Sequence, residues 1–141
     1  MGLRDYRVGR RDRVLRVAIV GASQRRWTNS AEVKRARKFI KDLLRTYKLV
    51  YKDGLVVISG GCLYGGVDIW AVEIARELGI RTLVYPPRGH SWEHFKERNI
   101  KIAESCDVLY CIEPRTNPSR GGRWTLEYAR KLGKTVYLIR I

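Results

Sequence analysis

Methionine, histidine and cysteine are all scarce in this 141-residue chain, with one, two and three copies respectively. Three cysteines, Cys62, Cys106 and Cys111, form no CxxC pair and cannot all be joined to one another. Reduced thiols in a cytoplasmic setting are therefore expected. His90 and His94 are the two histidines, and the chain has no HExxH pattern and no third histidine to complete a zinc site, so no metal is expected. No apolar run approaches the ~20 residues that a bilayer-spanning helix needs, which removes a membrane partner of that kind. The stretch from Met1 to Arg16 has neither an apolar centre nor a cleavage site, so a secretory signal is not expected.

Acidic residues are also in short supply. Lys and Arg number 29 against 14 Asp and Glu, a formal net charge of +15. Such an excess favours anionic partners, including nonspecific attraction of nucleic acid to the surface. The alternative is a solvated cationic surface, and a single Gln, Gln24, beside the single Met fits a heat-adapted source.

What remains is well patterned. Residues 1–13 alternate Arg, Asp and Gly with little apolar content and read as a flexible basic arm. Residues 14–141 read as one domain, long enough to bury a core. Val14–Val20 forms a first apolar run, and Leu55–Ile58, Arg81–Tyr85, Asp107–Ile112 and Thr135–Ile139 form four more. Between them lie helical periodicities: from Asn29 or Ser30 to Lys48, from Val67 to Leu78, from Trp92 to Glu104 and from Arg123 to Leu132. Continuous apolar strands alternating with helices signal a parallel sheet covered on both faces. Right-handed crossovers then predict an α/β, doubly wound sheet of about five strands in the order 3-2-1-4-5.

The central stretch is Ser59-Gly60-Gly61-Cys62-Leu63-Tyr64-Gly65-Gly66-Val67-Asp68, where a strand runs through a glycine-rich turn into a helix. That geometry presents unpaired backbone N–H groups to an anion, or it is simply a tight turn. Arg120-Gly121-Gly122-Arg123-Trp124-Thr125 makes a second candidate cradle. In a doubly wound sheet both fall on the carboxyl edge, where ligands bind.

These blocks carry a resemblance. Gly21-Ala22-Ser23 with Trp27-Thr28-Asn29, the Ser59–Asp68 block, Phe95-Lys96-Glu97-Arg98-Asn99 and Gly121-Gly122-Arg123-Trp124-Thr125 resemble the SLOG superfamily. That group includes the DprA/Smf, LOG and YpsA-like proteins, and the second and third blocks are most similar to the DprA and YpsA-like branches. The resemblance covers residues 14–141 and implies a Rossmann-like fold whose glycine loops bind nucleotides or nucleotide-derived ligands. The LOG pattern PGGxGTxxE is not matched throughout: Arg120 stands for its proline, Trp124 for its third glycine and Tyr128 for its glutamate.

The expected ligand site thus comprises Gly21, Ala22, Ser23 and Trp27 after the first strand, with Ser59, Gly60, Gly61, Gly65, Gly66 and Asp68 after the second. Arg98 and Asn99 join it from the third helix, and Gly121, Gly122, Trp124 and Thr125 from the last. Arg98 suits a bidentate phosphate contact. Asp68 suits either a ribose hydroxyl or its own helix dipole. Trp27, Trp92 and Trp124 are candidates to stack on a base or to cover the sheet edge, whereas Trp70 belongs to a buried stripe. The implied role is binding of a nucleotide or nucleotide derivative, as sensor or accessory protein, with no required cofactor and a homo-oligomeric state. Two alternatives stay open. A phosphoribohydrolase would draw on Glu127, Glu113 or Asp68 as its acid, with Arg98 assisting, and a DprA-like protein would bind single-stranded DNA.

Overall fold

Five short strands, the central three buried on both faces, set the architecture. The computed structural model describes residues 13–141. The basic arm expected at residues 1–13 falls, except for Arg13, outside those residues. In chain order the elements are β1 (Leu15–Gly21), α1 (Ser30–Tyr51), β2 (Leu55–Ser59), α2 (Val67–Glu77) and β3 (Arg81–Val84). They continue with α3 (Trp92–Ser105), β4 (Val108–Glu113), α4 (Arg120–Lys131) and β5 (Thr135–Arg140). The strands form one sheet in the order β3-β2-β1-β4-β5, with every neighbouring pair parallel. This is the expected α/β, doubly wound, Rossmann-like sheet, flanked by four helices among the described residues.

Successive strand residues point to opposite faces, and the core divides accordingly. Val17, Ile19, Leu55, Val57, Val108, Tyr110 and Ile112 pack with Ala36, Ile40 and Leu44 of α1 and Val67, Trp70, Ala71 and Ile74 of α2. Ala18, Val20, Ile58, Leu109 and Cys111 pack on the other face with Ile102 and Ala103 of α3 and Leu126 and Ala129 of α4. Two apolar layers on one sheet explain why β1, β2 and β4 read as unbroken hydrophobic runs.

Local chemistry sets the helix boundaries. Asn29, not Ser30, is the N-cap of α1, its side chain accepting from the Ala31 N–H at 2.8 Å. The helix then runs past Lys48 to Tyr51 before Lys52 turns the chain at φ 52°. α4 starts three residues before the periodicity placed it, because Ser119 caps it by accepting from Gly122 N–H at 3.0 Å. Gly121 and Gly122 therefore lie inside its first turn rather than in a loop before it.

The crossover between β1 and β4 is the switch point. Both strands feed the same edge, and α1 leaves toward one face while α4 leaves toward the other. A crevice opens there.

Candidate functional site

The crevice is a cavity of about 270 Å³ at the carboxyl ends of β1, β2 and β4. Gly21 and Ser23 form one wall, Asp68 and Cys62 the α2 side, and Arg98 and Asn99 the α3 side. Gly121, Gly122 and Thr125 close it from α4. Eight of the sequence-predicted residues thus meet: Gly21, Ser23, Asp68, Arg98, Asn99, Gly121, Gly122 and Thr125. Sequence reasoning missed Arg25, Arg26 and Ser119, which also line it, and it named Tyr64 and Arg120 only as parts of the two glycine-rich stretches. Arg25 and Arg26 follow Ser23 after the single residue Gln24, and nearness to a predicted wall was the signal available. Trp92 reaches the cavity from the first residue of α3 while remaining half exposed.

The cavity is strongly cationic. Four arginines, Arg25, Arg26, Arg98 and Arg120, line it against a single carboxylate, Asp68. Arg26 is committed to structure, donating to Asn117 Oδ1 at 2.9 Å and to the Pro118 carbonyl at 3.0 Å. Asn117 returns a bond to the Arg26 carbonyl at 3.2 Å, so the turn after β1 is clipped to the loop after β4. Arg25 and Arg120 make no salt bridge among the described residues.

Arg98 forms the cavity floor and is 8% exposed. Its guanidinium donates to the Gly60 carbonyl and stands 3.9 Å from Asp68 Oδ2. Its Nε has no hydrogen-bond partner. An unpartnered N–H on a buried cation is costly unless a ligand completes it. Asp68, at 7% exposure, accepts from the Cys62 N–H at 3.2 Å. Burial pushes its carboxyl up to about 6, although Arg98 and the Cys62 N–H hold it down. Burial likewise pushes the Cys62 thiol up, which argues against a thiolate nucleophile there.

The two glycine-rich turns differ in what they leave free. After β2 the protein occupies several of the donors itself: Gly61 N–H goes to Ser59 Oγ, Cys62 N–H to Asp68 Oδ2, Gly65 N–H to the Cys62 carbonyl and Val67 N–H to the Ala22 carbonyl. Ser59, fully buried, donates its hydroxyl to the Asp68 carbonyl at 2.9 Å and so ties α2 to β2. Gly66, at φ 84°, sits against the Ala22 carbonyl and Ser23, leaving no space for a Cβ. Ala22, Ser59, Gly60, Gly61, Gly65 and Gly66 hold the turn together rather than line the cavity. At α4, by contrast, the N–H groups of Arg120 and Gly121 carry no hydrogen bond among the described residues, and a Cβ on Gly121 would meet open space. That end is open to an anion.

Three expected site residues are corrected. Trp27 is 6% exposed and lies in the core, its ring 5.4 Å from Trp70 and its Nε1 donating to the Ala22 carbonyl at 3.1 Å. Its amphipathic ring finds both an apolar wall and an acceptor inward, so it covers the sheet instead of facing ligand. Trp124 does not line the cavity; it stacks on Tyr128 at 5.4 Å and meets Trp92 edge-on at 5.6 Å. Glu127 points to solvent and pairs with Arg130 at 2.7 Å, because its place on α4 is turned away from the sheet edge. It does not line this cavity.

Glu113 has a different task. Fully buried at the end of β4, it accepts from Ser119 N–H at 2.7 Å and from Arg123 Nε at 3.0 Å, with Arg140 at 3.7 Å. The carboxylate fixes Ser119, and Ser119 in turn caps α4. The open N-terminus beside the cavity is thereby held in place from below.

The chain matches no protein-family model and no curated protein. Its fold is similar to that of the molybdenum cofactor carrier protein MCP from Chlamydomonas reinhardtii, with a TM-score of 0.64 at 20% sequence identity. The likeness covers 89% of this chain and 76% of that one.

Proposed function

We propose that this chain binds a nucleotide or a nucleotide-derived small molecule, its phosphate seated in the cavity between β1 and α4. The observation that carries the reading is the pairing of two free backbone donors, Arg120 N–H and Gly121 N–H, with a buried arginine lacking one partner. Arg25 and Arg120 at the rim supply further positive charge, and Trp92 offers a ring face for a base. A fold shared with a cofactor carrier fits a small molecule at this edge. The motif resemblance supports a place in the SLOG superfamily near the DprA and YpsA-like branches, and the reduced cysteines support a cytoplasmic setting.

The test is a thermal-shift panel of mono-, di- and cyclic nucleotides, NAD and ADP-ribose. Ligand at 100 times its dissociation constant raises stability by about 2.7 kcal/mol, which a melting curve resolves easily. Arg98→Ala weakens binding about 10- to 100-fold, the loss of one desolvated charge-assisted contact. No shift from any member at millimolar concentration overturns the proposal. Retention of single-stranded DNA at about 0.15 M salt, with a steep salt slope and no small-molecule shift, would favour a nucleic-acid binder instead.

A further inference from the structure

We propose that anion binding in this cavity is coupled to uptake of one proton by Asp68. The inference rests on the phosphate site proposed above and concerns how that site is regulated.

Two buried groups share the cavity floor, and only one negative charge fits between them. Asp68 and Arg98 both line the cavity, and both are more than nine-tenths buried. They stand 3.9 Å apart, too far for a direct hydrogen bond, because the guanidinium is drawn to the Gly60 carbonyl. Asp68 Oδ2 accepts the Cys62 N–H, and its other oxygen accepts nothing among the described residues. An anion that engages Arg98 therefore comes close to a carboxylate that has little water to screen it. Like charges held on one cation cannot both stay ionised cheaply, and the weaker acid takes the proton.

The neighbours of Asp68 make it the group that yields. From α3 it faces Arg98, and from the β2–α2 turn it faces Cys62. Across the sheet edge it acts on Cys111 of β4, behind which stand Glu113 and Arg123. Arg25, from the turn after β1, is felt at Cys62. Arg98 is thus the one cation that opposes burial directly, and a bound anion competes for it. Asp68 already rests near 6 because burial outweighs Arg98. A bound anion raises it further, so the proton is taken up across the window above 6. Affinity then rises as pH falls through that window and levels off below it.

His90 and His94 lie near this edge and must be separated from Asp68. His90 Nδ1 contacts Tyr64 Oη at 3.3 Å, and His94 Nδ1 contacts Ser91 Oγ at 2.9 Å. Neither ring lines the cavity.

The experiment uses sulfate and NAD, whose phosphate or sulfate charge does not change between about pH 5.5 and 8. Binding is followed by calorimetry in two buffers of different ionisation enthalpy. The expected result is uptake of about one proton near pH 7, and an affinity that falls up to about tenfold per pH unit above 6. Asp68→Asn abolishes both effects, whereas His90→Ala and His94→Ala retain them. Should Asp68→Asn fail to fold, the proton count of the unaltered protein decides alone. Binding without proton uptake, or a pH slope that persists in Asp68→Asn, overturns the coupling and leaves the phosphate site standing. Absence of binding by either probe at every pH overturns the phosphate site, and the coupling with it.

Discussion

Arg98 occupies the space that a side chain on Gly60 would need. A Cβ built at Gly60 lies 2.8 Å from the Arg98 Cζ and 2.8 Å from Asp68 Oδ2, while the guanidinium donates to the Gly60 carbonyl. The α3 arginine is thereby pressed onto the turn after β2, 38 residues earlier in the chain. That contact, more than any glycine's conformational freedom, fixes the cavity floor.

Gly66 and Gly121 should behave oppositely when substituted. At Gly66 a Cβ meets the Ser23 carbonyl carbon at 2.6 Å and the backbone stands at φ 84°, so Gly66→Ala must move main chain. A loss of about 2 kcal/mol or more is expected in urea unfolding. A Cβ at Gly121 meets nothing within 4 Å, and Gly121→Val replaces glycine in a helix, so stability should change little. The branched side chain would nevertheless fill the space beside the two free N–H groups and should abolish the proposed nucleotide binding.

The tryptophans divide in the same way. Trp27→Ala removes a buried ring packed on Trp70 and should cost about 3–5 kcal/mol. Trp92→Ala removes a ring that is 47% exposed, and its stability loss should stay near 1 kcal/mol. Ligand-induced quenching of fluorescence should disappear with Trp92 and survive loss of Trp124. Quenching that persists without Trp92 would remove it from the site.

The three central strands were readable because burial on both faces leaves an apolar run, and the order followed from right-handed crossovers. The cavity was half readable: Gly21 and Gly121 follow from where a strand ends and a helix begins, and Arg98 from the resemblance of the Phe95–Asn99 block. Trp27 was not, because its burial depends on Trp70, 43 residues later, and on a carbonyl exposed only by the bend at Ala22. Nor could the sequence distinguish the two glycine turns. Whether an N–H is free depends on which distant carbonyl reaches it, and the Ala22 carbonyl reaches Val67 while none among the described residues reaches Gly121.

The carboxylates give a direct contrast between exposed and buried. Glu127→Gln breaks an exposed pair with Arg130, and stability should change by no more than about 0.5 kcal/mol. Any release of base from nucleoside monophosphates should be unaffected. Glu113→Gln leaves Arg123 and Arg140 without their carboxylate and weakens the Ser119 anchor, so about 3 kcal/mol should be lost. Glu127-dependent release of base would restore the hydrolase reading.

Asp68 should make the folded protein less stable as pH rises. Its carboxyl is raised from 3.8 to about 6 by burial, so the folded state holds this proton more tightly than the unfolded state. Unfolding then releases a proton between those values, and the charged carboxylate is a liability above about 6. The sign is opposite to that of a salt-bridged surface acid, whose contribution is lost on acidification. Asp68→Asn keeps an oxygen for the Cys62 N–H and removes the charge. The variant should match the unaltered protein near pH 4 and exceed it by on the order of 2–3 kcal/mol near pH 8. Urea unfolding at the two pH values measures this without any ligand. An Asn variant that is less stable near pH 8 would mean that the pairing with Arg98 outweighs the burial of Asp68, and that the carboxylate stays charged in the empty cavity.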